Sequence, residues 1–123
     1  MITNFEEYTV TLSTYERDMI VPMLVNELKV RVGAKNAIRS KELCEMFNER
    51  GYQRLTGPRV RKCINYIRVH GLVPHQIANN RGYFCATSIE QAETYIESLD
   101  QRAKAIWAMR AALKRDLSGK LFI

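Results

Sequence analysis

No apolar run in this 123-residue chain approaches the roughly 20 residues that a membrane-spanning helix needs. The opening Met-Ile-Thr-Asn-Phe-Glu-Glu lacks the basic and apolar regions of a secretory signal. A cytoplasmic location is therefore the expectation. Cysteine is scarce. Cys44, Cys63 and Cys85 cannot all pair within one chain, and their gaps of 19 and 22 residues fit no zinc framework. Two of them lie on apolar stripes, which predicts buried free thiols. Histidine is scarcer still. His70 and His75 with the two later cysteines read Cys-x6-His-x4-His-x9-Cys, which matches no finger pattern. No third group is placed to orient a cysteine–histidine pair, and no glycine-rich loop is present to cradle a phosphate. Glu42, Glu45 and Glu49 read as a charged helix face, not as a catalytic pair. The expectation is a protein without catalytic residues, metal or cofactor.

What the chain does have is 46% apolar residues with no low-complexity tract, enough for one compact domain with one core. The net charge of +6 is unevenly spread. Residues 1–30 carry two basic and five acidic side chains, residues 31–85 eleven and three, and residues 86–123 six and five. The positive charge is thus concentrated in the middle, which favours a polyanionic partner over a generally basic surface.

That middle segment contains the best-marked helix of the chain. Thr56 or Gly57 can cap its N-terminus, Pro58 suits its first turn, and Gly71 sits where a left-handed C-terminal cap belongs. Val60, Cys63, Ile64 and Ile67 make one apolar stripe at helical period. At about 100° per residue, Lys62, Asn65 and Val69 fall opposite it. Arg61 and Arg68 flank that outer face on one side, Arg59 and Tyr66 on the other. The face reads either as a solvated basic surface or as a fit to a major groove, where Arg and Lys meet phosphates and guanine and Asn meets adenine.

The neighbouring stretches supply its context. Tyr8, Val10 and Leu12 alternate in residues 5–12, which suits a short strand. Ser13 and Glu16 have capping-box spacing, so a helix is expected from about 14 to 32. Its stripe runs Met19 or Ile20, Leu24, Leu28 and Val32, with Pro22 forcing a kink or a second start. Ala37-Ile38-Arg39 looks like a very short strand. Ser40 then caps a helix running to about Arg50, with Leu43, Cys44 and Phe47 inward and Gly51 as its stop. After Gly71 the pattern turns alternating, 72–87, around Asn79-Asn80-Arg81-Gly82, where Asn and Gly supply the positive φ of a tight hairpin. Pro74 confines the first arm to an edge or a strand start. Tyr66, Tyr83 and Phe84 suit either single-strand stacking or packing onto the core.

Ser88 and Gln91 form a second capping box, and no Gly or Pro follows until past Leu117. Ile89, Ala92, Ile96, Leu99, Ala103, Ile106, Arg110 and Leu113 alternate spacings of three and four, a heptad seam with one Arg. About thirty residues make a rod of roughly 45 Å. Either this helix folds back to complete the core, or it pairs with a second copy in a homodimer. Residues 1–87 and 88–123 are the expected divisions.

Two short helices joined by a turn, the second cationic, followed by a hairpin with arginine at its tip, make a winged helix-turn-helix, mainly α with a two-stranded wing. Val60-Arg61 opening the second helix, Gly71-Leu72 after it and Arg81-Gly82-Tyr83 in the hairpin resemble winged helix-turn-helix DNA-binding domains such as the N-terminal domain of the biotin repressor. Arg61-Lys62-Cys63-Ile64-Asn65-Tyr66-Ile67-Arg68, Gly82-Tyr83-Phe84 and Tyr95-Ile96-Glu97-Ser98-Leu99-Asp100-Gln101-Arg102 are similar to small phage or prophage winged-helix proteins. The likeness implies double-stranded DNA as ligand and a role in regulating transcription or replication, with no ligase activity. Lys62, Asn65 and Arg61 are expected to approach bases, and Arg59, Arg68, Ser40, Lys41 and Arg81 to hold phosphates. The rival expectation is a winged helix acting as a protein-interaction adaptor in a phage replication or transcription complex.

Overall fold

The computed structural model describes residues 11–52 and 55–119. Most of the strand expected over 5–12, and the tail from 120 on, lie outside those residues. Two units divide the chain between Thr87 and Ser88.

The first unit opens with the capping box its sequence encodes. The Ser13 N–H donates to Glu16 Oε1 at 2.9 Å, and the Glu16 N–H donates to Ser13 Oγ at 3.1 Å. Helix begins at Thr14, passes through a π-helical turn, Glu16–Ile20, and continues as α1, Val21–Leu28. The π turn is the chain's answer to Pro22. The Val21 N–H reaches back five residues to the Glu16 carbonyl, which widens the helix just before a ring that would otherwise crowd the preceding turn. Ile20, Leu24 and Leu28 are buried as their spacing predicts. Val32 is not: α1 ends at Leu28, and Val32 sits half-exposed in a single parallel bridge to Cys85. The helix is therefore shorter than the expected 14–32, because the chain turns away to meet the sheet.

A short 3-10 turn, Ala34–Asn36, leads to Ile38, which pairs with Tyr83 through two backbone hydrogen bonds of 2.8 and 3.1 Å. The strand expected at 37–39 is thus one bridge. Helix α2, Ser40–Glu49, follows. Its cap is one residue earlier than expected: Arg39 holds the N-cap position, and its N–H donates to Glu42 Oε1 at 3.0 Å, leaving Ser40 as the first helical residue. Gly51, at φ 85°, marks the stop. The Asn48 amide then pins the turn, accepting from the Leu55 N–H at 2.9 Å and donating to the Leu55 carbonyl at 3.2 Å.

Helix α3, Gly57–Val69, is capped as expected. The Thr56 hydroxyl accepts from the Arg59 N–H. At the other end Gly71 is left-handed at φ 62°, its N–H donating to the Arg68 carbonyl and that of Leu72 to the Ile67 carbonyl, a Schellman closure. Strands β1, Gln76–Asn79, and β2, Gly82–Cys85, form an antiparallel hairpin, Gln76 opposite Cys85 and Asn79 opposite Gly82. The positive φ at its turn falls on Gly82, at 117°, and not on an asparagine. Gly82 is also where the hairpin touches the Ile38 segment: a Cβ there would lie 2.4 Å from the Ile38 carbonyl oxygen. Two short helices and a hairpin in this order form a mainly α, winged helix-turn-helix arrangement. One core joins α1, α2, α3 and the hairpin. Leu43, Phe47, Val60, Cys63, Ile64 and Ile67 are among its fully buried side chains, each apolar one stabilising by roughly 1.5–3 kcal/mol if fully desolvated.

The second unit is α4, Ile89–Gly119, 31 residues without a break. The Ser88 hydroxyl accepts from the Gln91 N–H at 3.1 Å. None of its side chains is buried.

Candidate nucleic-acid interface

The stripe Val60, Cys63, Ile64 and Ile67 is fully buried. Arg61 is exposed, and Asn65 and Arg68 are half-buried. Arg61 lies back along the start of its own helix, its guanidinium close enough to Gly57 that a Cβ there would come within 2.9 Å. It also stands near α2, where its charge acts on the Cys44 thiol.

Arg59 and Lys62 are differently placed. Both reach sideways to Glu16, the one buried charged side chain among the described residues. Arg59 Nε lies 2.9 Å from Glu16 Oε2, and Lys62 Nζ lies 2.9 Å from Oε1. The Arg59 guanidinium also stacks over the Tyr15 ring, 5.5 Å from its centre. The helical period sets Lys62 opposite the buried stripe. Its long side chain nonetheless runs to the neighbouring turn, where a partner waits. Arg59 and Lys62, both expected to meet nucleic acid, are therefore engaged within the protein. Burial alone would raise the Glu16 pKa, but the hydrogen bonds from Lys62, the Ser13 N–H and Arg59 outweigh it and hold the carboxyl below its ordinary value.

The capping-box acid of the first helix thus also clamps α3 to that helix. Spacing foretells its first role. The second joins residues 43 apart and leaves no local sign.

The hairpin tip is held by a residue that sequence reasoning passed over. Arg39 Nε and Nη2 donate to the Asn80 carbonyl at 3.3 and 3.1 Å, tying the start of α2 to the turn. Ser40 shares a shallow hollow there with Arg39, Asn79, Asn80 and Tyr83. Arg81, at the tip, is exposed, and its N–H donates to the Asn79 side chain at 2.8 Å. Lys41 is exposed in the first turn of α2. Ser40 is thus brought beside the wing, while Arg61, Asn65 and Arg68 share the outward sides of α3. His70 ends α3 with its ring against Tyr66, centroids 4.3 Å apart.

The thiols are poorly suited to chemistry. Cys63 and Cys85 are buried and Cys44 half-buried. Burial pushes the Cys63 thiol up to about 11 and raises the other two. Among the described residues, no three His, Cys, Asp or Glu side chains gather as a metal site would require, and no helix is long and apolar enough to cross a membrane. The arrangement offers a basic helix with one outward amide, a basic wing tip and a helix start. Neither a protein-family model nor a curated protein nor a solved structure matches the chain.

Proposed function

We propose that this protein binds double-stranded DNA as a winged helix-turn-helix regulator of transcription or replication, of the kind found in small phage proteins. The observation that carries the proposal is α3 itself. It follows a pinned turn, turns its apolar stripe wholly inward, and leaves Arg61, Asn65 and Arg68 outward. Asn65 pairs with an adenine edge in the major groove, and Arg61 approaches a guanine or a phosphate. Arg68, Ser40, Lys41 and Arg81 hold backbone, the last from the wing. Arg59 and Lys62 orient α3 through Glu16 and add one net positive charge between the three of them.

The test is duplex binding as a function of salt. With Lys41, Arg61, Arg68 and Arg81 as the cationic contacts, log affinity against log salt should fall with a slope of roughly −3.6, at ~0.9 per phosphate. A flat salt dependence, or no binding at ~50 mM salt, removes the proposal.

One observation favours a second reading, a protein-interaction adaptor. Val69 at the end of α3 and Leu72 just beyond it are both exposed, at 56% and 44%. Apolar side chains there suit a protein surface better than a phosphate backbone. Selection from random DNA separates the two: an adaptor enriches no sequence.

A further inference from the structure

The long helix carries an asymmetry that its apolar seam does not require. From Ile89 to Gln101, α4 has four acidic residues and no basic one. From Arg102 to Gly119 it has five basic residues and one acidic one. Ile96, Leu99, Ile106, Leu113 and Leu117 remain exposed on one heptad face. A single charged residue, Arg110, interrupts that face, with its guanidinium over the neighbouring Trp107 ring at 4.6 Å.

We propose that two copies of this chain associate through α4, running antiparallel about a two-fold axis between Lys104 and Ala105. A parallel, in-register pair would set each acidic half against the other and each basic half likewise, and would bury Arg110 against its own symmetry mate. Antiparallel pairing removes both conflicts. Ile96 then faces Leu113 of the partner subunit, and Ala103 faces Ile106 of the partner subunit, in alternating a and d layers. Arg110 meets Leu99 of the partner subunit, with Asp100 of the partner subunit on the flank where the guanidinium already leans over Trp107. Glu93 on the same flank pairs with Lys114 of the partner subunit. The helix dipoles oppose each other as well, each acidic N-terminal half lying beside a basic C-terminal half. The two Ser88 positions fall at opposite ends of the rod, roughly 50 Å apart at ~1.5 Å per residue. Association through α4 is independent of what α3 binds.

The experiment uses the full chain in a Cys44→Ser background, which leaves only the two buried thiols. Chains carrying Ile96→Cys and Leu113→Cys are purified separately, mixed and equilibrated in a glutathione buffer. The expected product is the mixed 96–113 disulfide, in at least ~tenfold excess over either like-with-like product. Sedimentation of the wild type should show a dimer. Lys114→Glu should weaken it by roughly tenfold, through two symmetric attractions turned into repulsions, and Glu93→Lys added to it should restore it. A predominance of 96–96 and 113–113 disulfides overturns the antiparallel pairing. A wild type that stays monomeric at ~100 µM overturns the association altogether and leaves the face to a different protein.

Discussion

Glu16→Gln is the most informative single change, because it should lower stability while strengthening the proposed binding of DNA. The carboxylate accepts from Arg59, Lys62 and the Ser13 N–H, and its side chain is only 5% exposed. Hydrogen bonds involving a charged group contribute about 1.5–3 kcal/mol each, and losing one partner of a buried ion pair costs about 3–5 kcal/mol. Here the two cations keep 26% and 21% of their side-chain exposure, so water takes back part of that loss. Glutamine also retains one acceptor of nearly the same shape. The expected destabilisation is about 2–3 kcal/mol at pH 7, read from urea unfolding. The sign of its pH dependence follows from the lowered folded-state pKa. The contribution of Glu16 is complete above the ordinary carboxylate pKa of ~4.3 and is lost as pH falls through the lower, folded value. The gap between wild type and variant should therefore be full at neutral pH and close in acid. The same substitution releases two cations beside α3, so the salt slope on random duplex should steepen by up to about 1.8, at ~0.9 per added phosphate contact. A variant within ~0.5 kcal/mol of wild type at pH 7, or a gap that persists unchanged in acid, would refute the clamp.

Other substitutions separate the parts of the face and of the fold. Asn65→Ala should lose about 1–3 kcal/mol on a selected site and little on random duplex, and unchanged site preference would remove Asn65 as a base reader. Arg81→Ala should weaken selected and random duplex alike and flatten the salt slope by about 0.9; a loss confined to the selected site would contradict its backbone role. Gly82→Ala should cost about 1–3 kcal/mol or more in urea unfolding, since φ is 117° and the added Cβ would press on the Ile38 carbonyl, so a near-neutral result would count against the bridge. Thiol titration of the native protein should modify half-buried Cys44 well before Cys63, whose thiol is pushed up to about 11, and equal rates would mean the core is open.

The elements of this protein were legible because the signals that define them are local. Ser13 with Glu16, Thr56 before Pro58, Gly71 after Val69 and Ser88 before Gln91 all act within one helical turn. Hydrogen-bond geometry over three or four residues is written directly into spacing. The stripe Val60, Cys63, Ile64 and Ile67 was equally readable, since a helix that buries one side must repeat its apolar residues at its own period. Small misreadings came where two local solutions compete. Arg39 and Ser40 both offer a backbone start for α2, and the bridge of Ile38 to Tyr83 decides for Arg39. Val32 continues the stripe of α1 on paper, but its pairing with Cys85 takes the chain out of the helix.

Sequence by itself determined both ends of α3 and the start of α4, that a basic helix precedes a hairpin, and that α4 is long, seamed and charged oppositely at its two ends. Only the tertiary structure decided which cations remain outward. Glu16 and Lys62 stand 46 residues apart, and Arg39 and Asn80 stand 41 apart. Nothing in either neighbourhood marks the other as its partner. A long flexible side chain on the rim of a helix can turn to water or to an adjacent element at nearly equal local cost. What settles the choice is whether packing of the core brings a desolvated carboxylate within its reach, and that is a property of how α1 and α3 meet, not of either segment alone.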